Sequence, residues 1–549
     1  MRLMFITPES RVPRASAWLV VCSALWMAVF GNLPLWQTVW RLPELQGAQG
    51  LLLIAGFVVM IAGLLTGMLA LFAWRWTLQP VITLLLLLCA LASHYMWQYG
   101  IVVDTPMLVN VLQTDVQESR DQLSLGLLWD VLLLAVLPAW WVWQRPLPNV
   151  PWPRQLLSNL TLCAAGLAVM FLSLMAVFQD FSSLMRNHLT MRYQINPLNS
   201  VYAVLDLTVI PADEVSGPLQ PVGEDAQIAR SAPTHKPPLF VLVLGETARS
   251  QNFSLNGYAR ETNPELAKLP VVSFTQVSSC GTSTAESLPC MFSHLGRKGH
   301  RQGVNRENLL DVLQRAGYAV VWIDNQSGCK GLCARIPSLR TSQWPSAEHC
   351  PKGECHDSVM LSVIEAEIAK LPAERRARGT VVVLHQMGSH GPAYYKRTPE
   401  AFKRFVPECT QTSLSQCNQQ EVINAYDNTL LYTDHFLAST VAWLQRQQSH
   451  ATAAMLYVSD HGESLGENNL YLHGLPYAVA PQTQTRVPLI TWLSPGFEAW
   501  RGVSTACLQQ GRDRALSHDH LFHSVVGLMG VTTEVYQRDL DLFAACERH

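Results

Sequence analysis

Leu239-Phe-Val-Leu-Val-Leu244-Gly-Glu246-Thr247 is an aliphatic and aromatic run that ends at a glycine and then a carboxylate. A run of that length reads as a buried strand. A carboxylate at its exit stands where open α/β sheets gather their ligands. The pattern recurs: Ala319–Ile323, Val381–Leu384, Met455–Val458 and Val487–Trp492 are further runs of strand length, separated by segments such as 306–316 and 420–447 with helical spacing. This alternation predicts an α/β sheet with helices on both faces, spanning residues 236–549.

The polar residues at the strand exits form a set. Asp460 and His461 follow one strand in Tyr457-Val-Ser-Asp460-His461-Gly-Glu463. His390 ends Leu384-His385-Gln-Met-Gly-Ser-His390-Gly-Pro, and His473 lies in Tyr471-Leu-His473-Gly. Carboxylate and imidazole donors suit Zn²⁺, which accepts nitrogen and oxygen ligands. Taken singly, an Asp after a strand is commonly a turn or capping residue. His385 and His435 read as structural, and Glu463 and Glu467 as capping or solvating the next turn. The set, with Glu246, Asp460 and His461 as three ligands, carries the argument for a metal.

Cys280-Gly-Thr-Ser-Thr284-Ala-Glu-Ser-Leu-Pro-Cys290 places several hydroxyls between two cysteines. A hydroxyl is a poor nucleophile near neutral pH until a base or a metal activates it. Thr284 as fourth ligand would receive that activation. Ten of the thirteen cysteines lie in the C-terminal part, an even number suited to disulfides in an oxidising compartment. Nearest-neighbour pairing gives Cys280–Cys290, Cys329–Cys333, Cys350–Cys355, Cys409–Cys417 and Cys507–Cys546. The spacing leaves cross-pairing among Cys329, Cys333, Cys350 and Cys355 open, and a thiolate metal site is the rival reading.

The first 180 residues read as membrane. Five apolar stretches, at 16–36, 51–74, 80–98, 124–144 and 155–178, are each long enough to cross about 30 Å of hydrocarbon as a helix. Arg2, Arg11, Arg14, Arg75, Arg145 and Arg154 fall on one side of this arrangement, Arg41 and Arg120 on the other. The positive-inside rule then makes the N-terminus cytoplasmic and puts everything after the fifth crossing outside. Residues 181–235 read as an interfacial linker, with Phe181, Leu184, Met185, Leu189 and Met191 forming an amphipathic face. In the outer loop between the third and fourth crossings, Asn110, Thr114 and Glu118 recur every four residues and would form one polar stripe on a helix, where a carboxylate can hold an ammonium. A net charge of -2 carries no information about nucleic acid, and none is expected as a partner.

Cys-Gly-Thr-Ser-Thr-Ala, Asp-Asn-Gln-Ser-Gly-Cys-Lys, His-Gln-Met-Gly-Ser-His-Gly-Pro and Ser-Asp-His-Gly-Glu-Ser-Leu-Gly-Glu together resemble the lipid A phosphoethanolamine transferases. That family includes the mobile colistin-resistance enzymes and lies within the alkaline phosphatase and sulfatase superfamily. The resemblance runs from the membrane anchor to Ser517-His-Asp-His520-Leu-Phe-His523. It implies a five-helix transmembrane domain joined to a periplasmic α/β domain with a central mixed sheet flanked by helices. It makes Thr284 the nucleophile and Glu246, Asp460 and His461 its zinc ligands, with one Zn²⁺ expected. His390 and His473 would stand near the transferred phosphate, holding a second zinc or moving protons. Ser327 and Lys330 would contact substrate, as would Asn110, Thr114 and Glu118. Phosphatidylethanolamine is the implied donor and lipid A the acceptor, in the bacterial inner membrane, with the chain a monomer. An added ammonium would lower the negative surface charge and weaken binding of polymyxins such as colistin. A phosphoglycerol transferase or phosphodiesterase with the same metal site is the alternative.

Overall fold

The computed structural model describes residues 12–42, 47–113, 123–209, 217–229, 236–300, 305–344, 348–350, 354–412 and 414–547. Its contacts divide the chain into two units, one of Met1–Thr105 with Leu123–Leu207 and the other of Pro106–Gln122 with Thr208–His549.

Among the described residues of the first unit, four helices are long and apolar enough to cross a membrane: Gly50–Leu71, Leu78–Tyr99, Leu125–Trp143 and Trp152–Ala176. The stretch expected as one span at 16–36 is a pair, Ser16–Phe30 and Leu33–Trp40, bent by 47°, so the spans number five if the pair is one. The break has a chemical cause. Pro34 stands in the first turn of the second helix, where its missing N–H costs nothing but a continuous helix is barred. Asn32 supplies the hydrogen bonds that the break removes: its Nδ2 donates to Met27 O and Asn196 O, and its Oδ1 accepts from Asn196 N at 2.7 Å. The segment read as an interfacial linker begins with helix Phe178–Asn187. Its Leu184 and Met191 are buried with the spans, and Phe181 meets Phe57 edge-on at 5.2 Å.

Helices Ala48–Leu71 and Trp152–Ala176 approach through small residues. A Cβ on Gly63 would stand 2.7 Å from Met170 N, and one on Gly166 2.7 Å from Gly63 O and Gly67 N. Lipid gives no hydrophobic drive for helix association, so this backbone proximity supplies the van der Waals contact that holds the pair.

The second unit is built on eight strands: β1 (Pro238–Gly245), β2 (Val272–Ser278), β3 (Ala319–Asp324), β4 (Ser338–Arg340), β5 (Thr380–His385), β6 (Thr452–Ser459), β7 (Arg486–Leu493) and β8 (Leu516–Ser517). Their order is β8-β2-β7-β6-β1-β5-β3-β4. The sheet is mixed, since β7 runs antiparallel to β2 and β6 while β1, β3, β4, β5 and β6 run parallel. Five of these strands were legible as apolar runs. The edge strands β4 and β8 are short, and β2, between β8 and β7, mixes polar with apolar residues; these three left no such signature. Leu244 pairs with both His385 and Val458, and Asp324 pairs with His385. This register ends β1, β3, β5 and β6 along one edge. Phe240, Leu242, Val381, Val383, Leu456 and Val458 are buried in the core beneath. All ten C-terminal cysteines are paired, as Cys280–Cys290, Cys329–Cys333, Cys350–Cys355, Cys409–Cys417 and Cys507–Cys546, which leaves no thiolate for the rival metal reading.

The small-residue seam makes a graded prediction. Gly63→Val and Gly166→Val force backbone apart and lower the melting temperature of the detergent-solubilised chain by several degrees. Gly67→Ala, whose Cβ meets the Leu167 side chain at 3.3 Å and Cys163 O at an ordinary 3.5 Å, changes it by much less in the same thermal-shift assay.

Candidate metal centre and active site

Glu246 leaves β1, and Asp460 and His461 leave β6, the strand beside it; one ligand atom from each lies within 4.8 Å of the other two. All three side chains are fully buried. Two carboxylates taken out of water side by side repel each other and demand a positive charge between them. Burial raises the Asp460 carboxyl and the neighbouring Glu246 charge raises it further. For Glu246, burial pushes upward too, but the hydrogen bond and charge of His461 win and hold it well below the usual carboxylate range. Burial opposes the His461 imidazolium, yet Asp460 and Glu246 outweigh that and raise it to about 10. The cluster is thus built around a cation.

The donor atoms fit a metal ion. His461 Nδ1 lies 2.9 Å from Gly462 O, a contact that fixes the proton on Nδ1 and turns Nε2 toward the carboxylates, at 3.3 Å from Glu246 Oε1 and 3.4 Å from Asp460 Oδ2. Asp460 Oδ1 accepts from Thr247 N at 3.1 Å and His461 N at 2.8 Å. Its Oδ2, among the described residues, is buried without any hydrogen-bond partner. An orphaned carboxylate oxygen facing an imidazole lone pair is what a tetrahedral cation completes.

Thr284 is the first residue of helix Thr284–Met291, after Ser283 in an extended conformation. Its Oγ1 lies 3.2 and 3.1 Å from the two Glu246 carboxylate oxygens and 3.5 Å from His461 Nε2. A helix N-terminus also favours negative charge on an oxygen placed there. The loop that delivers Thr284 is held by His518. Its Nδ1 accepts from Cys280 N at 3.0 Å and its Nε2 contacts Ser459 O at 2.9 Å, one residue before Asp460. The imidazole can make both bonds only when neutral. Burial pushes its pKa down to about 3, and the charge of His461 adds to that against the opposing Ser459 carbonyl.

Two further histidines extend the site. The rings of His461 and His473 are 4.2 Å apart and those of His473 and His390 are 5.8 Å apart. His473 Nδ1 lies 3.0 Å from Glu463 Oε2, whose other oxygen accepts from the Tyr394 hydroxyl at 2.8 Å. Glu463, read from sequence as a capping or solvated residue, is instead completely buried and orients His473. Glu467 pairs with Arg249 at 2.6 Å. His385 is structural as read, its Nδ1 3.0 Å from Asp324 Oδ2. Ser327 and Lys330 stand together in the loop after β3, with Lys330 Nζ donating to Ser327 Oγ at 2.8 Å. Asn110 lies on helix Thr105–Gln113, while Thr114 and Glu118 fall outside the described residues. Sequence reasoning gave no role to His518, although it quoted the Ser517-His motif. His518 follows directly on the two-residue strand β8, which is too short to have a period that would mark it.

A mixed sheet with a hydroxyl, two carboxylates and an imidazole buried at its strand ends defines a sulfatase-type domain, and the Sulfatase family model matches residues 238–531. A second family model, Phosphoethanolamine transferase EptA/EptB, matches residues 60–210. The chain is 36% identical over 552 residues to phosphoethanolamine transferase EptA of Escherichia coli strain K12, with 97% of each covered. It is 39% identical over 495 residues to phosphatidylethanolamine transferase Mcr-1 of Escherichia coli, covering 87% of this chain and 89% of that one. The solved integral membrane protein lipooligosaccharide phosphoethanolamine transferase A of Neisseria meningitidis matches with a TM-score of 0.92 at 34% identity, over 97% of this chain and 99% of that one. The chain belongs to the EptA and Mcr family of phosphoethanolamine transferases.

The His518 bridge generates a stability prediction. His518→Ala leaves the Cys280 N–H and Ser459 carbonyl unpaired in the interior and costs about 2–4 kcal/mol, read by denaturant unfolding. The native pKa lies below the ordinary 6.5, so the unfolded chain binds more protons here. The bridge's contribution is complete above about pH 6.5 and is lost as pH falls toward 3. Between those limits the wild type loses more stability than His518→Gln does.

Proposed function

We propose that Thr284 carries phosphoethanolamine as a covalent intermediate, with Glu246, Asp460 and His461 holding a zinc ion beside it. The chain transfers phosphoethanolamine to lipid A, and phosphatidylethanolamine is the donor. The observation that carries the covalent reading is Thr284 Oγ1, lying against the Glu246 carboxylate and His461 Nε2 at the start of a helix. Zinc held by those three ligands supplies a Lewis acid that lowers the pKa of the hydroxyl and offsets charge at phosphorus.

The residues then divide the work. Thr284 Oγ forms a bond to phosphorus of phosphatidylethanolamine as the bond to the diacylglycerol oxygen breaks. His473, held through Nδ1 by Glu463, takes the proton that Thr284 gives up and passes it to the leaving oxygen. A lipid A phosphate hydroxyl next forms a bond to the same phosphorus, the Thr284 Oγ–P bond breaks, and the proton of that hydroxyl returns through His473 to Thr284. His390, whose ring neighbours that of His473, contacts the transferred phosphoryl group, and Lys330 with Ser327 meets substrate charge from the loop after β3. The helix N-terminus at Thr284 favours the phosphorylated side chain.

The catalytic unit lies in the periplasm and the spans anchor it in the inner membrane, which matches a site whose cysteines are all oxidised. Each transferred group brings an ammonium to an anionic surface. Cationic polymyxins bind that surface less strongly, so cells carrying the active chain resist colistin.

Lipid A mass spectrometry from cells expressing the wild type and Thr284→Ala tests this reading. The wild type adds phosphoethanolamine and the alanine variant, losing the nucleophile, falls by at least about 10⁴-fold. Intact-protein mass detects the adduct on the wild type alone; modification by the alanine variant refutes the covalent step. Glu463→Gln leaves the adduct forming but slows it, because His473 loses the partner that orients it, and the pH–rate profile shifts with it.

A further inference from the structure

A second polar cavity of about 310 Å³ opens beside the site, at the carboxyl ends of β3, β4 and β5. Its wall is the loop that carries His390: Asp357 accepts from Met387 N and Gly388 N at 2.8 and 3.0 Å, Ser389 N donates to Glu246 O at 3.0 Å, and Arg397 Nε donates to His390 O at 3.0 Å. The cavity and the metal centre therefore share one loop.

The charged groups inside match in number but not in their partners. Arg340, Lys396 and Arg397 line it together with the acids Asp324, Glu354 and Asp357. Two of the acids are already engaged by donors. Asp324 accepts from the Trp322 indole, Gln326 N and Gly328 N and pairs with His385, while Asp357 accepts from Asn325, Gln386 and the two loop amides. The third, Glu354, faces the cations at 2.8 Å from Arg397 and 3.6 Å from Lys396. Among the described residues, Arg340 has no acid partner, and its guanidinium packs over Gly328, where an added Cβ would stand 2.6 Å from Nη2. This loop is the one that carries Ser327 and Lys330. A planar fork without a carboxylate partner among the described residues, set in this cavity, matches an oxyanion taken in bidentate fashion. The volume is at the small end of the roughly 300–1,000 Å³ found for small-molecule sites; it suits one phosphorylated sugar and excludes a whole acylated disaccharide.

We infer that this cavity is the acceptor subsite, in which Arg340 holds a phosphorylated hexosamine of the acceptor while the group on Thr284 is transferred. The assignment rests on the transfer reading above and adds to it the place where the acceptor sugar sits.

Binding of glucosamine 1-phosphate to the full chain in detergent, measured by calorimetry, tests it. The expected result is binding by wild type and Thr284→Ala alike, weaker by about tenfold in Arg340→Gln and partly restored in Arg340→Lys. Arg340→Gln also raises the KM for lipid A about tenfold while the Thr284 adduct forms as in wild type. Unchanged binding in Arg340→Gln, loss of binding in Thr284→Ala, or an equal fall in adduct formation and transfer each overturns the assignment. Inorganic phosphate is the second probe. Binding as tight as that of the sugar phosphate makes the cavity an anion site for free phosphate and overturns the acceptor role. A wild type that binds the sugar phosphate but never forms the adduct sinks the covalent step and leaves Arg340 where it is placed.

Discussion

The repulsion between the buried carboxylates of Glu246 and Asp460 is the constraint around which the catalytic unit is arranged. Glu246 is held ionised by His461 while its charge presses on Asp460, and neither group can reach water. Each neighbouring feature answers that demand. His461 inserts its Nε2 between them, Thr247 and His461 give Asp460 their backbone N–H groups, and the Thr247 hydroxyl donates to Glu246 at 2.6 Å. Thr284 is drawn to the same carboxylate. A hydroxyl placed by the electrostatic need of these carboxylates would, as the proposed nucleophile, be oriented before any substrate arrives.

The surroundings keep that arrangement from relaxing. His518 ties the loop before Thr284 to the end of β6, so nucleophile and ligands move as one body. The Cys280–Cys290 disulfide closes the same loop over ten residues, and the Glu463–His473 pair fixes the imidazole on the open side. Rigid support of this kind matters because a small displacement of a catalytic group costs a large factor in rate.

The parallel strands and the metal ligands were legible in sequence for a common reason. A buried parallel strand must be apolar throughout, and a carboxylate or imidazole directly after it stands out against that background. Four parallel strands, β1, β3, β5 and β6, with Glu246, Asp460 and His461 meet this description, and the antiparallel β7 is equally buried and apolar. Legibility failed where partners are distant in sequence and the local pattern is polar. Glu463 looks like a turn acid until Tyr394 and His473 are brought to it. His518 gains meaning only from Cys280 and Ser459, one on each side of the sheet's edge strand and centre. Edge strands such as β4, with exposed Ser338 and Arg340, carry no apolar run at all. In the membrane unit the hydropathy marked the spans but not the 47° bend, whose cause is a single proline and an asparagine that bonds across to Asn196.

Thr247 and Asp460 stand 213 residues apart and meet only because β1 and β6 pair in register. An unfolded chain has no such site. A polypeptide threaded across the membrane before folding would therefore leave the cytoplasm empty-handed, and an ion held by Glu246, Asp460 and His461 would come from the compartment beyond. On the zinc reading proposed above, the supply of that ion outside the cytoplasm would set how many copies of the enzyme are working.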